Sequence, residues 1–425
     1  MKRSLSADTA FFGFGKNAFP ALARGADGGR RLVYLDSACT ALKLRSPVEK
    51  TSDFYLRWGG CGGGRSTHEF AAKSEEEARD ARLETAAFLG ASPSEIVFTS
   101  GTTDAVNLLA QAFPFEPAKN EVIVSELEHN SVLLPFYERA RRGEARVRVL
   151  PARGGRIDLD ALEAAFGPRT ALVAVSRSSN VYGGLAPLAE VVERAHARGI
   201  CVFADCAQSI ASHGEDVQES GVDFIAFSAH KMGGPFGVGV LYGSERWLRR
   251  MPPVRAGGGT VSSVGLRGGV WDVRYLEAPR KFEPGVQNYA GLVGLRETLR
   301  AHARVERVAL RAHLGALVRR LVRGLDNFPQ ARVLGNAEDL ERGSIVSFVV
   351  DREGFSTADF DVYLNRALPR HRIAVRIGEH CAHLLHARLG VRESVRASFF
   401  AYNDSSDVDA LLSALRAYLK EPVHA

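Results

Sequence analysis

Apolar residues in the first two thirds of the chain come in short unbroken runs. Ile96-Val97-Phe98, Glu121-Val122-Ile123-Val124, Ala171-Leu172-Val173-Ala174-Val175, Cys201-Val202-Phe203-Ala204 and Phe224-Ile225-Ala226-Phe227 all lack the polar alternation of a half-exposed strand. Such strands are buried on both faces, as in a sheet covered by helices on each side. Between them lie stretches of helical period, such as 188–198. Strand and helix in alternation predict βα units and a largely parallel sheet.

The pattern changes near residue 294. A long amphipathic helix is predicted over 293–326, then a strand at Ile345-Val346-Ser347-Phe348-Val349-Val350, a helix over 357–368, a strand over 395–400 and a helix over 406–419. This reads as a small α+β unit. The expected organisation is an N-terminal arm over 1–31 packing with the small domain, a large α/β domain over 32–294, and a small C-terminal domain over 295–425. Glycine-rich segments at 59–64, 233–239, 257–259 and 265–269 read as loops, either plain or lining a site.

Composition changes this picture little. The chain has 425 residues, 45% hydrophobic and 24% charged, which allows a large core. The net charge is +6, carried mostly by arginines spread along segments such as 304–323. Spread charge marks solvated helix faces, so no nucleic-acid partner is expected. No apolar run is long enough to cross a bilayer, and no membrane association is expected. The start Met1-Lys2-Arg3-Ser4-Leu5-Ser6 is not followed by the apolar stretch of a secretory signal. The five cysteines, Cys39, Cys61, Cys201, Cys206 and Cys381, form no CxxC. That usage suits a reducing cytoplasm, where a special cysteine is catalytic rather than a staple.

Candidate chemistry begins at Lys231, in Ser228-Ala229-His230-Lys231-Met232-Gly233-Gly234. It follows an apolar strand, where an amine is costly without a partner or a covalent role. A Schiff-base lysine has such a role, although most lysines simply face solvent. Asp205 ends another apolar run, at the sheet edge where α/β ligands bind. A carboxylate there can pair with a pyridinium nitrogen, with Gln208 in reach of the same ring; a helix N-cap is the plainer reading. Thr99-Ser100-Gly101-Thr102-Thr103 joins a strand to a helix start. Backbone N–H groups and hydroxyls there make a phosphate cradle, or an ordinary cap, and Ser228 and His230 can close it.

Together these residues resemble the class V aminotransferase family, and within it the cysteine desulfurases. The marks are Tyr34-Leu35-Asp36-Ser37-Ala38-Cys39-Thr40, Phe98-Thr99-Ser100-Gly101-Thr102-Thr103, Glu128-His129-Asn130-Ser131, Ser179-Asn180-Val181-Tyr182-Gly183, Asp205-Cys206-Ala207-Gln208 and Ser228-Ala229-His230-Lys231, in that order. The resemblance covers about 34–419. It implies a fold-type I pyridoxal 5'-phosphate enzyme, with the cofactor in the large domain and a homodimer whose sites lie near the interface. By it, His129 stacks on the pyridine ring, and Asn180 lies near substrate and ring oxygen. Asp205 and Gln208 hold the ring. Gly101, Thr102, Thr103, Ser228 and His230 hold phosphate, and Lys231 forms the Schiff base. Ala38 lies in a turn bordering the substrate.

The segment Val375-Arg376-Ile377-Gly378-Glu379-His380-Cys381-Ala382-His383 resembles the loop carrying the persulfide-forming cysteine, and Arg396 in Val395-Arg396-Ala397-Ser398-Phe399 the arginine that binds the substrate carboxylate. Cys381 is then the nucleophile, with Arg376 and His380 favouring its thiolate. A free cysteine is more often a small buried hydrophobe. His380, Cys381, His383 and His386 could also suggest a metal, but they come from one short segment and do not close a tetrahedron; no metal is expected. Three positions depart from the family pattern. Cys39 replaces a small residue, either as packing or as a second thiol able to take sulfur from Cys381, and Cys61 shares that ambiguity. Val286 replaces a threonine whose hydroxyl reaches the neighbouring subunit's phosphate, leaving Gln287 as a substitute. Leu384 replaces a proline. Arg65 and His68 match a loop near the site entrance.

The expected activity is conversion of L-cysteine, or a related amino acid, to L-alanine with a persulfide on Cys381, passed on to a sulfur-acceptor protein. The alternatives are a selenocysteine, sulfoxide or sulfinate lyase or an amino-acid epimerase of the same family, and an inactive sulfur-carrier or scaffold protein.

Overall fold

The computed structural model describes residues 15–23, 29–62 and 66–420. The N-terminal Met1–Ser6 segment, much of the expected arm, and Arg65 lie outside the described residues. Seven strands form the central sheet: β1 (Ile96–Thr99), β2 (Glu121–Ser125), β3 (Arg146–Leu150), β4 (Thr170–Ser176), β5 (Cys201–Asp205), β6 (Phe224–Ser228) and β7 (Gly239–Gly243). Their order is β1-β7-β6-β5-β4-β2-β3, and all are parallel except β7. The expected α/β class and mainly parallel sheet are present.

The unbroken apolar runs have their physical reason in two cores. Ile123, Val173, Val202, Ile225 and Phe227 point into a core on one face, and Val122, Val124, Leu172, Phe203, Phe224 and Ala226 into one on the other. β7 begins at Gly239, the last residue of a segment expected to be loop. A Cβ on Gly239 would lie 2.5 Å from Gly101 Cα and 2.8 Å from the Phe227 carbonyl oxygen, so only glycine lets β7 enter between β1 and β6.

Two other expectations are corrected. The helix predicted over 293–326 is two helices, Tyr289–Ala303 and Arg307–Leu325. No glycine or proline breaks them. The first buries Leu292, Leu295 and Leu299 in the large core, the second Leu310, Leu314 and Leu321 in a separate one, and the chain turns between. Tertiary packing overrides a continuous helical period. The glycine-rich segment at 265–269 is a hairpin of β8 (Val261–Arg267) and β9 (Val270–Tyr275), turning at Gly268 and Gly269 with φ of 57° and 82°. A two-residue turn with both φ positive matches strand twist and requires such residues.

The C-terminal part carries a four-stranded antiparallel sheet of β10 (Ala331–Val333), β11 (Ile345–Val350), β12 (Arg376–Gly378) and β13 (Ser394–Ser398), in the order β10-β11-β13-β12. Strand Arg31–Tyr34 pairs in parallel with His371–Ala374. Phe19 is buried against Phe400 and Tyr402, and Arg31 pairs with Asp407 at 2.7 Å. Among the described residues no helix is long and apolar enough to cross a membrane.

One buried ion pair anchors β1. Glu283 accepts from Arg82 Nη1 at 3.0 Å and Nη2 at 2.7 Å, and from the Phe98 backbone N–H at 2.7 Å. Glu283→Ala leaves the buried Phe98 amide without its acceptor and the largely buried Arg82 guanidinium without its counter-charge, with the Ile96 carbonyl remaining to it. A loss of about 3–5 kcal/mol is expected, read as a lowered melting temperature. An unchanged melting temperature would show that the pair is dispensable.

Candidate active site

Parallel strands deliver their carboxyl ends to one edge of a sheet. Here β1, β2 and β4 are followed by Thr102, His129 and Asn180, while β5 ends on Asp205 with Gln208 just beyond and β6 ends on Ser228 with Lys231 just beyond. These residues line one cavity of about 300 Å³. From outside the sheet come Ala38 and Cys39, and the C-terminal part adds Arg376, His380, Cys381 and Arg396.

At its floor, Gly101 precedes helix Thr102–Ala112. Ser228 Oγ accepts from the Thr102 N–H at 2.8 Å and lies 2.8 Å from Thr102 Oγ1. Thr103 Oγ1 lies 2.8 Å from Ser131 Oγ. A Cβ at Gly101 would come within 3.3 Å of Ser228 Oγ. Hydroxyls at a helix N-terminus, with no side chain between them, make a place for an anion. His230 lines the same cavity, with its Nδ1 3.1 Å from Thr40 Oγ1 and its ring stacked on Phe236 at 5.6 Å.

Above the cradle sits an electrostatic column. Asp205 is buried, and one carboxylate oxygen accepts from the Ala207 N–H at 2.9 Å. Burial raises its pKa, while Lys231 pulls it down. Lys231 is partly open to the cavity, and burial lowers its amine below the usual range, against the pull of Asp205. His129 caps helix Asn130–Arg141, with Nδ1 accepting from the Ser131 N–H at 3.0 Å. Its pKa falls to about 4 through burial, then through Lys231 and Arg396, so the ring is neutral with its proton on Nε2. Glu128 lies behind, held by Ser125 Oγ at 2.5 Å and Ser176 Oγ at 2.6 Å, and burial pushes its carboxyl up to about 8. A protonated Glu128 leaves Asp205 free of a second negative charge.

The Cys381 loop has unusual backbone geometry. His380 and Cys381 have φ of 52° and 55°, in the left-handed region that costs a side-chain-bearing residue about 1–2 kcal/mol. Neighbours hold the turn: the Asn130 N–H donates to the Cys381 carbonyl at 2.8 Å, and Asn180 Nδ2 to the His380 carbonyl at 2.7 Å. Ser394 Oγ lies 2.9 Å from His380 Nε2 and 3.0 Å from His386 Nε2. His386 Nδ1 faces the Ala382 carbonyl at 3.1 Å and so carries that ring's proton. Ser394 then donates to His386 and accepts from His380, which leaves His380 Nδ1 a bare, buried acceptor without a partner. Cys381 itself is exposed.

Arg396 is 3% exposed. Its Nη1 donates to the Asn180 carbonyl at 3.0 Å, its Nη2 reaches Asp36 Oδ1 at 3.5 Å, and its Nε is unpartnered. Asp36 takes Arg376 more tightly, at 2.6 Å. Gln208 Nε2 donates to the Ala38 carbonyl at 2.8 Å.

A family model described as aminotransferase class-V matches residues 33–411. The chain belongs to the class-V aminotransferase family. A cysteine desulfurase of Dickeya dadantii is 36% identical, over 93% of this chain and 94% of the relative. Among solved structures, the cysteine desulfurase CsdA of Escherichia coli, in an S-sulfonic acid form, superposes with a TM-score of 0.84 at 35% identity, covering 95% of this chain and 97% of that one. An apo cysteine desulfurase of Thermococcus onnurineus NA1 gives 0.84 at 30% identity, covering 92% and 95%.

Of the residues assigned to cofactor, substrate or catalysis along the sequence, Ala38, Thr102, Thr103, His129, Asn180, Asp205, Gln208, Ser228, His230, Lys231, Arg376, Cys381 and Arg396 line this cavity and Gly101 borders it beside Ser228, whereas Cys61, His68, Val286, Gln287 and Leu384 do not line it. Sequence reasoning assigned no role to Asp36, Glu128 or Ser394. The first two lay within quoted motifs; Ser394 carried no signal. The Gln287 amide donates to the Glu283 carbonyl at 3.0 Å. Val286 is exposed, and Leu384 is the second residue of helix His383–Leu389, where no intrahelical N–H bond is needed. Among the described residues no cluster able to hold a metal ion occurs.

Glu128 gives a pH signature. Its folded pKa, about 8, lies above the unfolded value of 4.5. The neutral carboxyl's contribution is complete below the unfolded value and is lost as pH rises toward the folded one. Glu128→Gln cannot ionise, so its melting temperature should gain on that of the wild type between pH 5 and about 8.5. A difference that stays flat across that range would place an ionised carboxylate at 128.

Proposed function

We propose that this chain is a pyridoxal-phosphate-dependent cysteine desulfurase that converts L-cysteine to L-alanine and collects the sulfur on Cys381. The observation that carries this reading is one cavity lined by an amine of lowered pKa, Lys231, a buried guanidinium, Arg396, and an exposed thiol, Cys381. Relatives across nearly the whole length are desulfurases, which supports it.

The residues fit the cofactor. The cradle of Gly101, Thr102, Thr103 and Ser228 would hold its phosphate, and Asp205 its ring nitrogen. His129 would cover the ring face, with Gln208 and the unpartnered Asn180 Oδ1 near the ring's edge. When bound, the cofactor supplies an aldehyde that condenses with amines and a ring that withdraws electrons. Arg396 grips the substrate carboxylate, its free Nε supplying a donor and Arg376 adding charge from the rim. Ala38 borders the bound substrate. The Lys231 amine takes the Cα proton and can return one, a task suited to a lysine lowered by burial. The Cys381 thiolate attacks the substrate sulfur. The carbon–sulfur bond breaks, its electron pair stays on carbon, and protonation there yields alanine. His129 stays neutral and adds no charge near that carbon.

We assign residues 1–31 to an arm on the small domain, 32–294 to the cofactor-binding domain and 295–425 to the domain bearing the Cys381 loop. A buried core that gathers Phe19 and Val33 with residues from Val305 to Leu415, apart from the two cores flanking the central sheet, supports this division. The described cysteines are all free, in keeping with the cytoplasm, and the exposure of Cys381 suits delivery to an acceptor protein. A homodimer is supported by the β8–β9 hairpin, which exposes Leu266, Val270 and Trp271, each more than half open to solvent.

With pyridoxal phosphate, L-cysteine and a reductant, the purified protein should release alanine and sulfide in equal amounts. Cys381→Ser should abolish both while the protein stays yellow with bound cofactor. Undiminished sulfide from that variant would sink the assignment, and a yellow wild type that makes neither product would turn a substrate panel toward selenocysteine, sulfinates or epimerisation. For the dimer, light scattering should give twice the chain mass for wild type and a lower mass for Leu266→Asp/Trp271→Asp; a monomeric wild type would dismiss it.

A further inference from the structure

The cavity holds two thiols. Cys39 lies in the turn after strand Arg31–Tyr34, its N–H donating to the Asp36 carbonyl at 3.1 Å. It is half-buried, whereas Cys381 is exposed, and both line the same space of about 300 Å³. They arrive from distant parts of the chain, so neither position is a by-product of the other's packing.

The surroundings of Cys39 are cationic. Lys43, Lys231, Arg376 and Arg396 all lie within electrostatic reach of Cys39. Lys43 is pinned beside it, with Nζ at 2.8 Å from Thr40 Oγ1, 2.9 Å from the Ala41 carbonyl and 3.0 Å from the His230 carbonyl, and lies 4.1 Å over the Phe236 ring. Arg396, 3% exposed, lines the same cavity, so the space between the two thiols is bordered by buried positive charge.

We propose that Cys39 is a second sulfur-carrying site, loaded from the persulfide of Cys381. This rests on the reading of Cys381 as the persulfide-forming residue. The Cys39 thiolate attacks the outer sulfur of that persulfide. The bond between this sulfur and Cys381 Sγ breaks, and its electron pair returns to Cys381 as a thiolate. A new sulfur–sulfur bond joins the transferred atom to Cys39. One such bond is exchanged for another, so no oxidant or reductant is consumed. Cys381 is then free for a second turnover, while the first sulfur is held deeper in the cavity, away from bulk thiols.

The test incubates the cofactor-loaded enzyme with L-cysteine and no reductant, then quenches, alkylates and digests it for mass spectrometry, with alanine counted alongside. In wild type, peptides containing Cys39 and Cys381 should each carry an added sulfur. In Cys381→Ser neither should. In Cys39→Ala the alanine formed before turnover stalls should fall by about half, as one acceptor of two is lost. The count is an amplitude, so a slower Cys39→Ala does not disturb it, and the wild-type peptides decide the matter if that variant fails to fold. Added sulfur on Cys381 alone would overturn the transfer and leave the desulfurase reading intact. A Cys39–Cys381 disulfide would overturn it too, showing attack on the inner sulfur with loss of sulfide. Sulfur on Cys39 in Cys381→Ser would replace the relay by direct capture from substrate. No alanine and no added sulfur on either peptide would remove the desulfurase reading itself, and the transfer with it.

Discussion

Lys231 and Asp205 act on one another at the carboxyl edge of a sheet buried on both faces, and the rest of the site is arranged around that pair. Neither charge is stable alone in a low-dielectric setting. Burial draws the amine down and the carboxyl up, while each partner pulls the other back. A lone aspartate facing a second carboxylate would lose that balance. Glu128, the nearest acid behind it, is itself pushed toward its neutral form and held by Ser125 and Ser176. His129 is kept uncharged by the same burial. The large domain thus offers one lysine and one carboxylate of adjustable charge, with neutral groups around them.

Charge on the substrate side is organised differently. Asp36 sits between Arg376 and Arg396 and divides its attention unequally, at 2.6 and 3.5 Å. A carboxylate that held Arg396 tightly would compete with any anionic ligand. Here it neutralises part of the cationic rim and leaves the deeper guanidinium with a donor to spare. The same segment then turns through Ser37 and Ala38 to Cys39, so the element that tunes the arginines also places the second thiol.

What was legible in the sequence follows from how local each feature is. A strand end followed at once by a charged or hydroxyl residue is a short-range pattern, and Asp205, Lys231, Thr102 and Thr103 were readable from it. The sheet was readable because strands buried on both faces leave unbroken apolar runs. Features joining distant segments were not. Asp36 and Arg376 are 340 positions apart, and nothing in either neighbourhood announces the pair. Ser394 links two histidines through one hydroxyl, a role that exists only once the loop has folded. The break between Ala303 and Arg307 lacks glycine and proline because it answers to two cores, not to local propensity. The β8–β9 hairpin was hidden by the glycines that make its turn.

The position of Cys381 is decided largely outside its own loop. Two successive left-handed residues would relax if left alone, since each carries a side chain that disfavours that conformation. They persist because Asn130 and Asn180 hold the carbonyls of Cys381 and His380. Both asparagines belong to segments leaving the large sheet, close to His129 and Ser179. The groups that fix the Cys381 turn are therefore carried by the same strand ends that place the lysine and the cradle. The small sheet carries Arg396 and leads into the Cys381 turn, but segments leaving the large sheet hold the backbone of that turn. A displacement between the two parts would break both hydrogen bonds and release the backbone strain together, which ties the Cys381 turn to the docked arrangement rather than to the loop sequence alone.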